Sequence, residues 1–283
     1  MRVDPTAVVS ADAKIGNDVT IGPFCIVESD VVLGDGCRLE GRVTIKSGTA
    51  LGRENRVFEG AVLGSIPQHL KVPAELGRLE IGDRNTIREN VTMHRAMAAG
   101  QATVVGNDNL VMVNSHVAHD CHVGNNVVLI NNTMLGGHVE IHDRVYMAGG
   151  AGIQQFCRVG RLATIGGQGR VTKDLPPYVV MDGLTGGVVG LNLVGIRRAG
   201  YTNDDIAQLK AAYRVIYRSG LTWNEVLVRL PGEFPDGPAA DFHRFFVTGK
   251  RGFMCERRTP IAATVRLEPP SVDETPSLRI KAG

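Results

Sequence analysis

Histidine is concentrated in one short stretch of this sequence. His116, His119 and His122 lie within the segment NSHVAHDCHVGNN, and Asp120 directly follows His119. A further histidine, His138, lies eighteen residues after Asp120. An imidazole beside a carboxylate is the usual arrangement of a general base that works near neutral pH. The stretch therefore predicts a catalytic pair formed by His119 and Asp120.

The same histidines could also be metal ligands, because three histidines at a regular spacing of three residues suggest a zinc site. In a chain that turns a corner every six residues, however, residues three apart point in different directions. We therefore expect no metal at this stretch. We interpret His122 as an exposed residue without a chemical role.

A six-residue repeat must position these side chains. Stepping by six from Val3 to Val171 gives 29 positions, and 26 of them are large aliphatic residues. A helix cannot produce this period, because 3.6 residues per turn do not divide six. Short strands separated by tight turns can produce it, and three hexads close a coil of 18 residues. The sequence therefore predicts a parallel β-helix, in which stacked coils pair their strands.

Residues 18 apart in such a stack lie directly above one another. Asp120 is then placed under His138, and His119 lies in one column with Gly137 and Gln155. We expect the loop that carries Lys71 to approach the same column. Gly often follows the aliphatic position, and we expect these glycines to adopt the positive φ of the corners.

Composition excludes several classes of protein. Glycine accounts for 35 of 283 residues, well above the usual share of about 7%, but it lacks the three-residue period of collagen. No apolar stretch of about 18 residues is present, so we expect no membrane span. The N-terminus lacks the pattern of a secretory signal, so we expect a cytoplasmic protein. A net charge of +2 gives no indication of a nucleic-acid partner.

The five cysteines are too few for a disulfide scaffold in a chain of this length. Four of them share the small inward position of the hexad, and we interpret them as buried apolar residues rather than nucleophiles or metal ligands. They are Cys25, Cys37, Cys121 and Cys157.

The pattern divides the chain into three parts. Residues 1–187 form the β-helix, with loops leaving the stack near 69–80 and 95–104. Residues 188–258 form a small helical domain, in which Thr202–Asp205 and Thr222–Glu225 resemble capping boxes. This domain holds eleven basic and seven acidic residues, so it could dock an acidic partner or could simply expose solvated helix faces. The tail at 259–283 is expected to be flexible.

Several segments together resemble the UDP-N-acetylglucosamine O-acyltransferases of lipid A biosynthesis. They are IGPFC, PQHLK, IGDRNTIRENVTMHR, HVAHDCHVGN, LGGHV, QQFC, DLPPYVV and IYRSG, and the resemblance as a whole covers residues 1–254. The resemblance implies a left-handed β-helix and a homotrimer with active sites between subunits. It also implies the first step of lipid A biosynthesis, in which an acyl chain moves from acyl carrier protein to the 3-position of the sugar, without metal or cofactor.

The resemblance also implies roles for individual residues. His119 matches the general base, Asp120 the carboxylate that orients it, and the Gly137 N–H the donor to the oxyanion. Positions that contact the substrate are matched by Lys71, His116, His138, Gln155, Asn192 and Arg198. Gly167 matches the position that measures the acyl chain, and the absence of a side chain there predicts a longer chain.

The sequence departs from the family pattern at five positions. Gln154 replaces the histidine of an HQFC motif, and Ala96 replaces the glycine of HRG. His69 stands in place of an acidic residue, Val194 in place of Glu, and Ala199 in place of a second Arg. These changes leave two alternatives open: an acyltransferase that acts on another sugar nucleotide, and a trimeric scaffold without catalysis. The sequence also leaves open whether the acceptor group is a hydroxyl or an amine.

Overall fold

The computed structural model describes residues 1–257, and most of its strands contain only two residues. Their bounds are β1 (Arg2–Val3), β2 (Val8–Val9), β3 (Lys14–Ile15), β4 (Thr20–Ile21), β5 (Ile26–Val27), β6 (Val32–Leu33), β7 (Arg38–Leu39), β8 (Thr44–Ile45), β9 (Thr49–Leu51), β10 (Arg56–Val57), β11 (Val62–Ser65), β12 (Arg78–Ile81), β13 (Thr86–Ile87), β14 (Thr92–His94), β15 (Ala102–Val105), β16 (Leu110–Val111), β17 (His116–Val117), β18 (His122–Val123), β19 (Val128–Leu129), β20 (Met134–Leu135), β21 (Glu140–Ile141), β22 (Tyr146–Met147), β23 (Gly152–Ile153), β24 (Arg158–Val159), β25 (Thr164–Ile165), β26 (Arg170–Val171), β27 (Val179–Met181) and β28 (Val188–Leu191).

Every third strand belongs to the same sheet, so the chain builds three sheets as it coils. The first runs from β1 through β4 and β7 to β25, β27 and β28; the second runs from β2 to β26; the third runs from β3 to β24. Pairing is parallel throughout, except between β27 and β28, which are antiparallel. The predicted parallel β-helix is therefore confirmed.

The core is the column of aliphatic residues that the six-residue period points inward. Ile21, Leu39, Val57, Ile87 and Val111 lie in successive coils of the first sheet, and each is fully buried. Burying many aliphatic side chains in this way supplies the hydrophobic stabilisation that a chain with few aromatic residues needs.

The glycine that follows the aliphatic position is required for a different reason from the one predicted. Gly16, Gly34 and Gly124 do not have positive φ. A Cβ at Gly34 would lie 2.4 Å from the carbonyl oxygen of Gly52 in the next coil. The expectation of a conformational role was therefore wrong, because close approach between coils leaves no room for a side chain at this position.

Positive φ occurs instead two residues further along each corner. Non-glycine residues occupy most of these positions, and they recur every six residues, as at Asp18, Asp108, Asn114, Asp120 and Asn126. Asp and Asn enter this left-handed region more readily than most other residues with a side chain.

Two insertions leave the stack and return to it. Arg56 pairs with Thr86, and Thr86 with Leu110, so these two coils contain 30 and 24 residues instead of 18. We call residues 66–77 the first insertion and residues 95–101 the second insertion. The first begins and ends three residues earlier than predicted, and the second is shorter than predicted, because buried Leu79 and Thr103 belong to the strands that follow.

Four helices follow the β-helix: α1 (Leu193–Arg198), α2 (Asn203–Arg218), α3 (Trp223–Glu233) and α4 (Ala240–Val247). The first residue of the predicted helical domain, Val188, belongs to β28 and thus to the first sheet of the β-helix. The short helix α1 is too brief to give a recognisable period. The tail at 259–283 lies outside the described residues.

The capping boxes begin the helices at the predicted residues. The Asp205 N–H donates to Thr202 Oγ1, and the Asp205 carboxylate accepts from the Thr202 N–H. At α3 the Glu225 carboxylate accepts from the N–H and the hydroxyl of Thr222.

Arg158, which pairs with Asp174, attaches α4 to the β-helix. The Arg158 guanidinium lies 2.7 Å from Asp174 Oδ2, and it also donates to the Phe245 carbonyl and to Thr248 Oγ1. None of the four helices within residues 1–257 is both long and apolar enough to cross a lipid bilayer.

Candidate active site

His119 and Asp120 form a close pair at one corner of the β-helix. His119 Nδ1 lies 2.6 Å from Asp120 Oδ2, and both side chains are largely buried. If Nδ1 carries the imidazole proton, it donates to the carboxylate, and Nε2 remains as the proton acceptor. The pair can therefore act as a base with an orienting carboxylate.

His138 lies beside the same carboxylate, as the coil length predicts. Its Nε2 is 3.5 Å from Asp120 Oδ2, and its backbone N–H donates to the carbonyl of His119. The ring stacks on Phe156 with a centroid separation of 4.6 Å. Burial lowers the pKa of His138, although Asp120 opposes this effect, so the neutral imidazole is favoured near pH 7.

Gly137 leaves space beside the imidazole of His119. A Cβ at Gly137 would lie 2.6 Å from His119 Cε1 and 2.8 Å from its Nε2. The Gly137 carbonyl accepts from the Phe156 N–H. Within residues 1–257, the Gly137 N–H has no hydrogen-bond acceptor. It is therefore available to an oxygen atom of a ligand.

A second pair of histidines lies on the same side of the β-helix. His116 Nδ1 is 2.8 Å from Thr92 Oγ1, and its ring meets that of His94 edge to face at 4.8 Å. His94 is almost completely buried, and its Nδ1 has no partner within the described chain. Burial, assisted by His116 and His119, lowers the pKa of His94 to about 4. Burial also lowers the pKa of His116.

The two insertions both approach the pair of His119 and Asp120. The first carries His69, whose ring centroid lies 6.0 Å from that of His119, and Lys71, which is exposed. The second supplies the N–H of Met97, which donates to Asp120 Oδ1 at 3.2 Å. The strand after it supplies Thr103 Oγ1, which accepts from the Asp120 N–H.

Sequence reasoning missed three of these neighbours. Met97 lies in the second insertion, and His94 and Thr103 lie beside it. Contacts there cannot be predicted by adding 18 to a residue number, because the insertion changes the length of the coil. The only signal for His94 was its place in the segment MHR beside the histidine-rich coil.

Gln155 and Gly167 lie in later coils. Gln155 is exposed and occupies the corner one coil beyond Gly137. Gly167 is also exposed, and a Cβ there would make only an ordinary contact of 3.6 Å with the Gly149 carbonyl. Gln154, which replaces the family histidine, is likewise exposed.

Asn192 and Arg198 make no contact with the histidine cluster within one chain. Asn192 caps α1: its Oδ1 accepts from the Gly195 N–H, and its Nδ2 donates to the carbonyl of Leu162. Arg198 is exposed in the last turn of the same helix. The structure of a single chain therefore does not bring all predicted site residues together.

The side chains of His119, Asp120 and His138 also carry atoms that could bind a cation. Potential ligand atoms of His119, Asp120 and His138 lie within 4.8 Å of one another. The 2.6 Å contact between His119 and Asp120 fits a hydrogen-bonded base equally well. His122 lies outside this set and is exposed.

The neighbouring cysteine is not part of this chemistry. Cys121 is fully buried, and its thiol donates to the Gly136 carbonyl. Burial raises the pKa of Cys121 to about 12. The thiolate, which is the nucleophilic form, is therefore scarce near pH 7.

Two family profiles match the chain. Residues 174–254 match the family described as UDP N-acetylglucosamine O-acyltransferase, domain 2. Residues 12–47 match the bacterial transferase hexapeptide family of six repeats. The first match covers the end of the β-helix and the helices, and the second covers the length of two early coils.

The chain is also similar to known proteins over most of its length. A protein of Gloeothece citriformis, named acyl-[acyl-carrier-protein]–UDP-N-acetylglucosamine O-acyltransferase, is 40% identical over 208 residues, which are 71% of this chain and 75% of the relative. The UDP-N-acetylglucosamine acyltransferase structure from Bacteroides fragilis is 39% identical, with a TM-score of 0.86 over 89% of this chain and 99% of that one.

The LpxA structure from Acinetobacter baumannii is 37% identical, also with a TM-score of 0.86, over 89% of this chain and 99% of that one. These similarities confirm the predicted fold class, a left-handed parallel β-helix followed by a small helical part.

Proposed function

The chain belongs to the UDP-N-acetylglucosamine O-acyltransferase family, and we propose that His119 is the general base of its acyl transfer. The acyl group moves from acyl carrier protein to the 3-hydroxyl of UDP-N-acetylglucosamine, the first step of lipid A biosynthesis. The single observation that carries the assignment of the base is the 2.6 Å contact between His119 Nδ1 and Asp120 Oδ2, which leaves Nε2 free.

The reaction follows from this arrangement. Nε2 of His119 takes the proton of the sugar hydroxyl while the hydroxyl oxygen attacks the thioester carbonyl carbon. Asp120 stabilises the imidazolium that results and keeps the ring oriented. When the tetrahedral adduct collapses, the carbon–sulfur bond breaks and the imidazolium returns the proton to the departing thiolate. The products are the acylated sugar nucleotide and the free thiol of acyl carrier protein.

Gly137 supports the same step in two ways. Its lack of a side chain leaves the approach to Nε2 open. Its unpaired N–H is available to stabilise the oxyanion of the tetrahedral adduct, as a preorganised backbone donor can. We therefore assign the role of oxyanion donor to Gly137.

Four other residues near the base are proposed to bind substrate. Lys71 on the first insertion carries a positive charge suited to a nucleotide phosphate, and His116, His138 and Gln155 present polar side chains on the same side of the β-helix. Gly167 is proposed to leave room for a longer acyl chain, because it is exposed and lacks a side chain.

Asn192 and Arg198 are proposed to act in the active site of a neighbouring subunit. This assignment goes with a homotrimer, because neither residue contacts the histidine cluster of its own chain. The proposed compartment is the cytoplasm, where the five free cysteines would remain reduced. The acidic partner proposed for the basic helical domain is acyl carrier protein.

One observation favours a second candidate, an acyltransferase of the same fold that uses a different sugar nucleotide. Val194 is 59% exposed at the start of α1, where the family has Glu. Ala199 at the end of the same helix likewise offers no polar group. An acceptor other than UDP-N-acetylglucosamine would explain both changes.

An acyl-transfer assay with wild type, His119→Ala and His122→Ala tests the proposal. We expect His119→Ala to reduce kcat/KM by about a thousandfold, since general base catalysis contributes roughly 10²–10⁴-fold. The control variant His122→Ala changes an exposed histidine outside the cluster and should retain wild-type activity. Full activity of His119→Ala would eliminate the proposed base.

The acceptor and the metal are tested in the same assay. Acyl carrier proteins loaded with chains of different length are offered with UDP-N-acetylglucosamine and with its 3-amino analogue. Turnover with neither acceptor would favour the second candidate. Treatment with a chelator should leave the rate unchanged; a loss that zinc restores would show that the cluster binds a catalytic metal.

A further inference from the structure

One residue of the second insertion is bonded to both ends of the first. The N–H of Arg95 donates to the carbonyl of Ser65, where the first insertion leaves the stack, at 3.0 Å. The Arg95 guanidinium donates to the carbonyls of Leu76 and Gly77, where the insertion returns, at 3.2 and 2.7 Å. Arg95 therefore closes the neck of the first insertion.

The position of the guanidinium is unusual for a cation. It is half-buried, and a Cβ at Gly48 would lie only 2.8 Å from Arg95 Cζ. Within residues 1–257, both of its side-chain hydrogen bonds go to neutral carbonyls rather than to a carboxylate. Burial lowers the pKa of Arg95. Desolvating a cation costs free energy, so a half-buried guanidinium among carbonyls indicates that Arg95 has a structural role.

The shape of the guanidinium suits this position. Its fixed fork of N–H groups reaches two adjacent carbonyls at once, which the single ammonium of a lysine does not do in the same geometry. Gly77 also packs closely on the second insertion, since a Cβ there would lie 2.5 Å from the Ala98 carbonyl. The two insertions are therefore held together as one unit.

This unit contacts the proposed catalytic pair at two points. Met97, two residues after Arg95, donates its N–H to Asp120. The first insertion places His69 against His119, and His69 Nδ1 lies 3.1 Å from the N–H of Lys71. The residue that closes the neck is thus connected to the proposed base and to its carboxylate.

We infer that Arg95 is a positioning residue for acyl transfer: it closes the neck of the first insertion and so holds Lys71 and His69 over His119. This inference rests on the proposed function. Arg95 does not touch the reacting atoms in this arrangement; it acts through the insertion that it closes.

The kinetic test compares wild type with Arg95→Ala and Arg95→Lys. Arg95→Ala removes the bonds to the Leu76 and Gly77 carbonyls and keeps only the backbone bond to Ser65. The insertion then samples other positions, so we expect KM for UDP-N-acetylglucosamine to rise at least about tenfold in this variant. The pH profile of kcat should keep its wild-type midpoints, because His119 and Asp120 are unchanged. Added guanidinium should restore KM in Arg95→Ala, and the same concentration of sodium chloride should not.

The matched control is Arg84→Ala. Arg84 is also an arginine of the β-helix, but it forms an exposed ion pair with Asp108 and contacts neither insertion. If Arg95→Ala does not fold, Arg95→Lys keeps the charge and most of the stem, and should show the same rise in KM to a smaller extent.

A second measurement follows the first insertion directly and needs no activity. Lys71 is exposed, so trypsin cleavage after it can be timed by mass spectrometry. We expect cleavage to accelerate about tenfold in Arg95→Ala and to stay unchanged in Arg84→Ala, because opening of the loop sets the rate.

The outcomes separate the two proposals. Unchanged cleavage in both Arg95 variants would show that Arg95 does not hold the insertion. Faster cleavage with an unchanged KM would show that the closed neck does not matter for acyl transfer. A wild-type protein without any acyl transfer would refute the proposed function, and with it a role in that reaction, while the cleavage rates would still decide whether Arg95 closes the neck.

Discussion

At the scale of single residues, the candidate site uses the same two corner positions in successive coils. Asp120 and His138 both have positive φ, at 60° and 58°, and His119 and Gly137 each precede one of them. Asp and His are among the residues that accept this conformation more easily than most others. The repeat therefore places a carboxylate and an imidazole within 3.5 Å without a special loop.

Gly137→Ala tests whether the space beside the base is needed. The added methyl group would lie 2.6 Å from His119 Cε1, so the ring must move from its present place. We expect kcat/KM to fall about a hundredfold, because a displacement of about 1 Å at a reacting group can have this effect.

Gly149→Ala is the matched control, since its Cβ would make only ordinary contacts of 3.5 Å or more. Neither substitution should change the thermal midpoint by more than a few degrees. Wild-type kcat/KM in Gly137→Ala would contradict the proposed approach of substrate to His119 Nε2.

Much of the site could be predicted from the sequence because a strict period turns residue numbers into positions. The neighbours of Asp120 in the next coil follow from adding 18, and the contact with His138 was obtained in this way. The contacts of Asp120 with Met97 and Thr103 could not be obtained, because they depend on the path of the second insertion. The hydrogen bond from Arg95 to the Gly77 carbonyl could not be predicted for the same reason.

At the scale of the elements, the coils are limited by how closely their backbones approach. The glycine after the aliphatic position lies against the carbonyl of the next coil, so its missing side chain serves packing rather than φ. The positions of these glycines are plain in the sequence, but the positive φ that we expected at them was wrong. Periodicity reports which positions are small and does not distinguish a tight contact from an unusual dihedral angle.

A pair of substitutions distinguishes the two explanations. In Gly34→Ala the methyl group would lie 2.4 Å from the Gly52 carbonyl, whereas in Gly41→Ala the nearest atom would be 3.6 Å away. Neither glycine has positive φ. We expect Gly34→Ala to reduce the free energy of unfolding by about 2 kcal/mol, as overpacking does. Gly41→Ala should change it by less than about 1 kcal/mol.

Urea unfolding followed by circular dichroism measures both variants. Equal free energies of unfolding for Gly34→Ala and Gly41→Ala would contradict the close-approach explanation.

At the scale of the whole molecule, stability is coupled to the charge state of four histidines, of which His94 is the most deeply buried. Burial lowers the pKa of His94, His116, His138 and His142. In the unfolded chain these groups return to an ordinary value near 6.5. The unfolded state therefore binds more protons than the folded state below about pH 6.5, and stability falls as the pH is lowered through this range.

His94 should make the largest contribution, because its pKa is lowered to about 4. Protonation of His94 in the unfolded chain lowers the free energy of unfolding by about 3 kcal/mol between pH 6.5 and pH 4. We expect His94→Gln to flatten the dependence of the free energy of unfolding on pH across this window. The measurement is urea unfolding at several values between pH 4 and pH 7.

His122→Gln, which removes an exposed imidazole, is the control and should keep the wild-type slope. A wild-type slope in His94→Gln would mean that His94 is not neutral in the folded protein at pH 5.

The two ends of the β-helix differ in a way that governs self-association. At the C-terminal end, the first sheet finishes with β28, which pairs antiparallel with β27, and the helices follow it. At the N-terminal end, β1, β2 and β3 each have a neighbour on one side only, and Val8 is 65% exposed. An open strand edge is normally a template for fibre growth. Here each open edge is only two residues long, and the three strands run in three different directions around the coil. A second chain could extend the stack here only by arriving as an already folded coil, so the N-terminal end presents no continuous template along which an unfolded chain could polymerise.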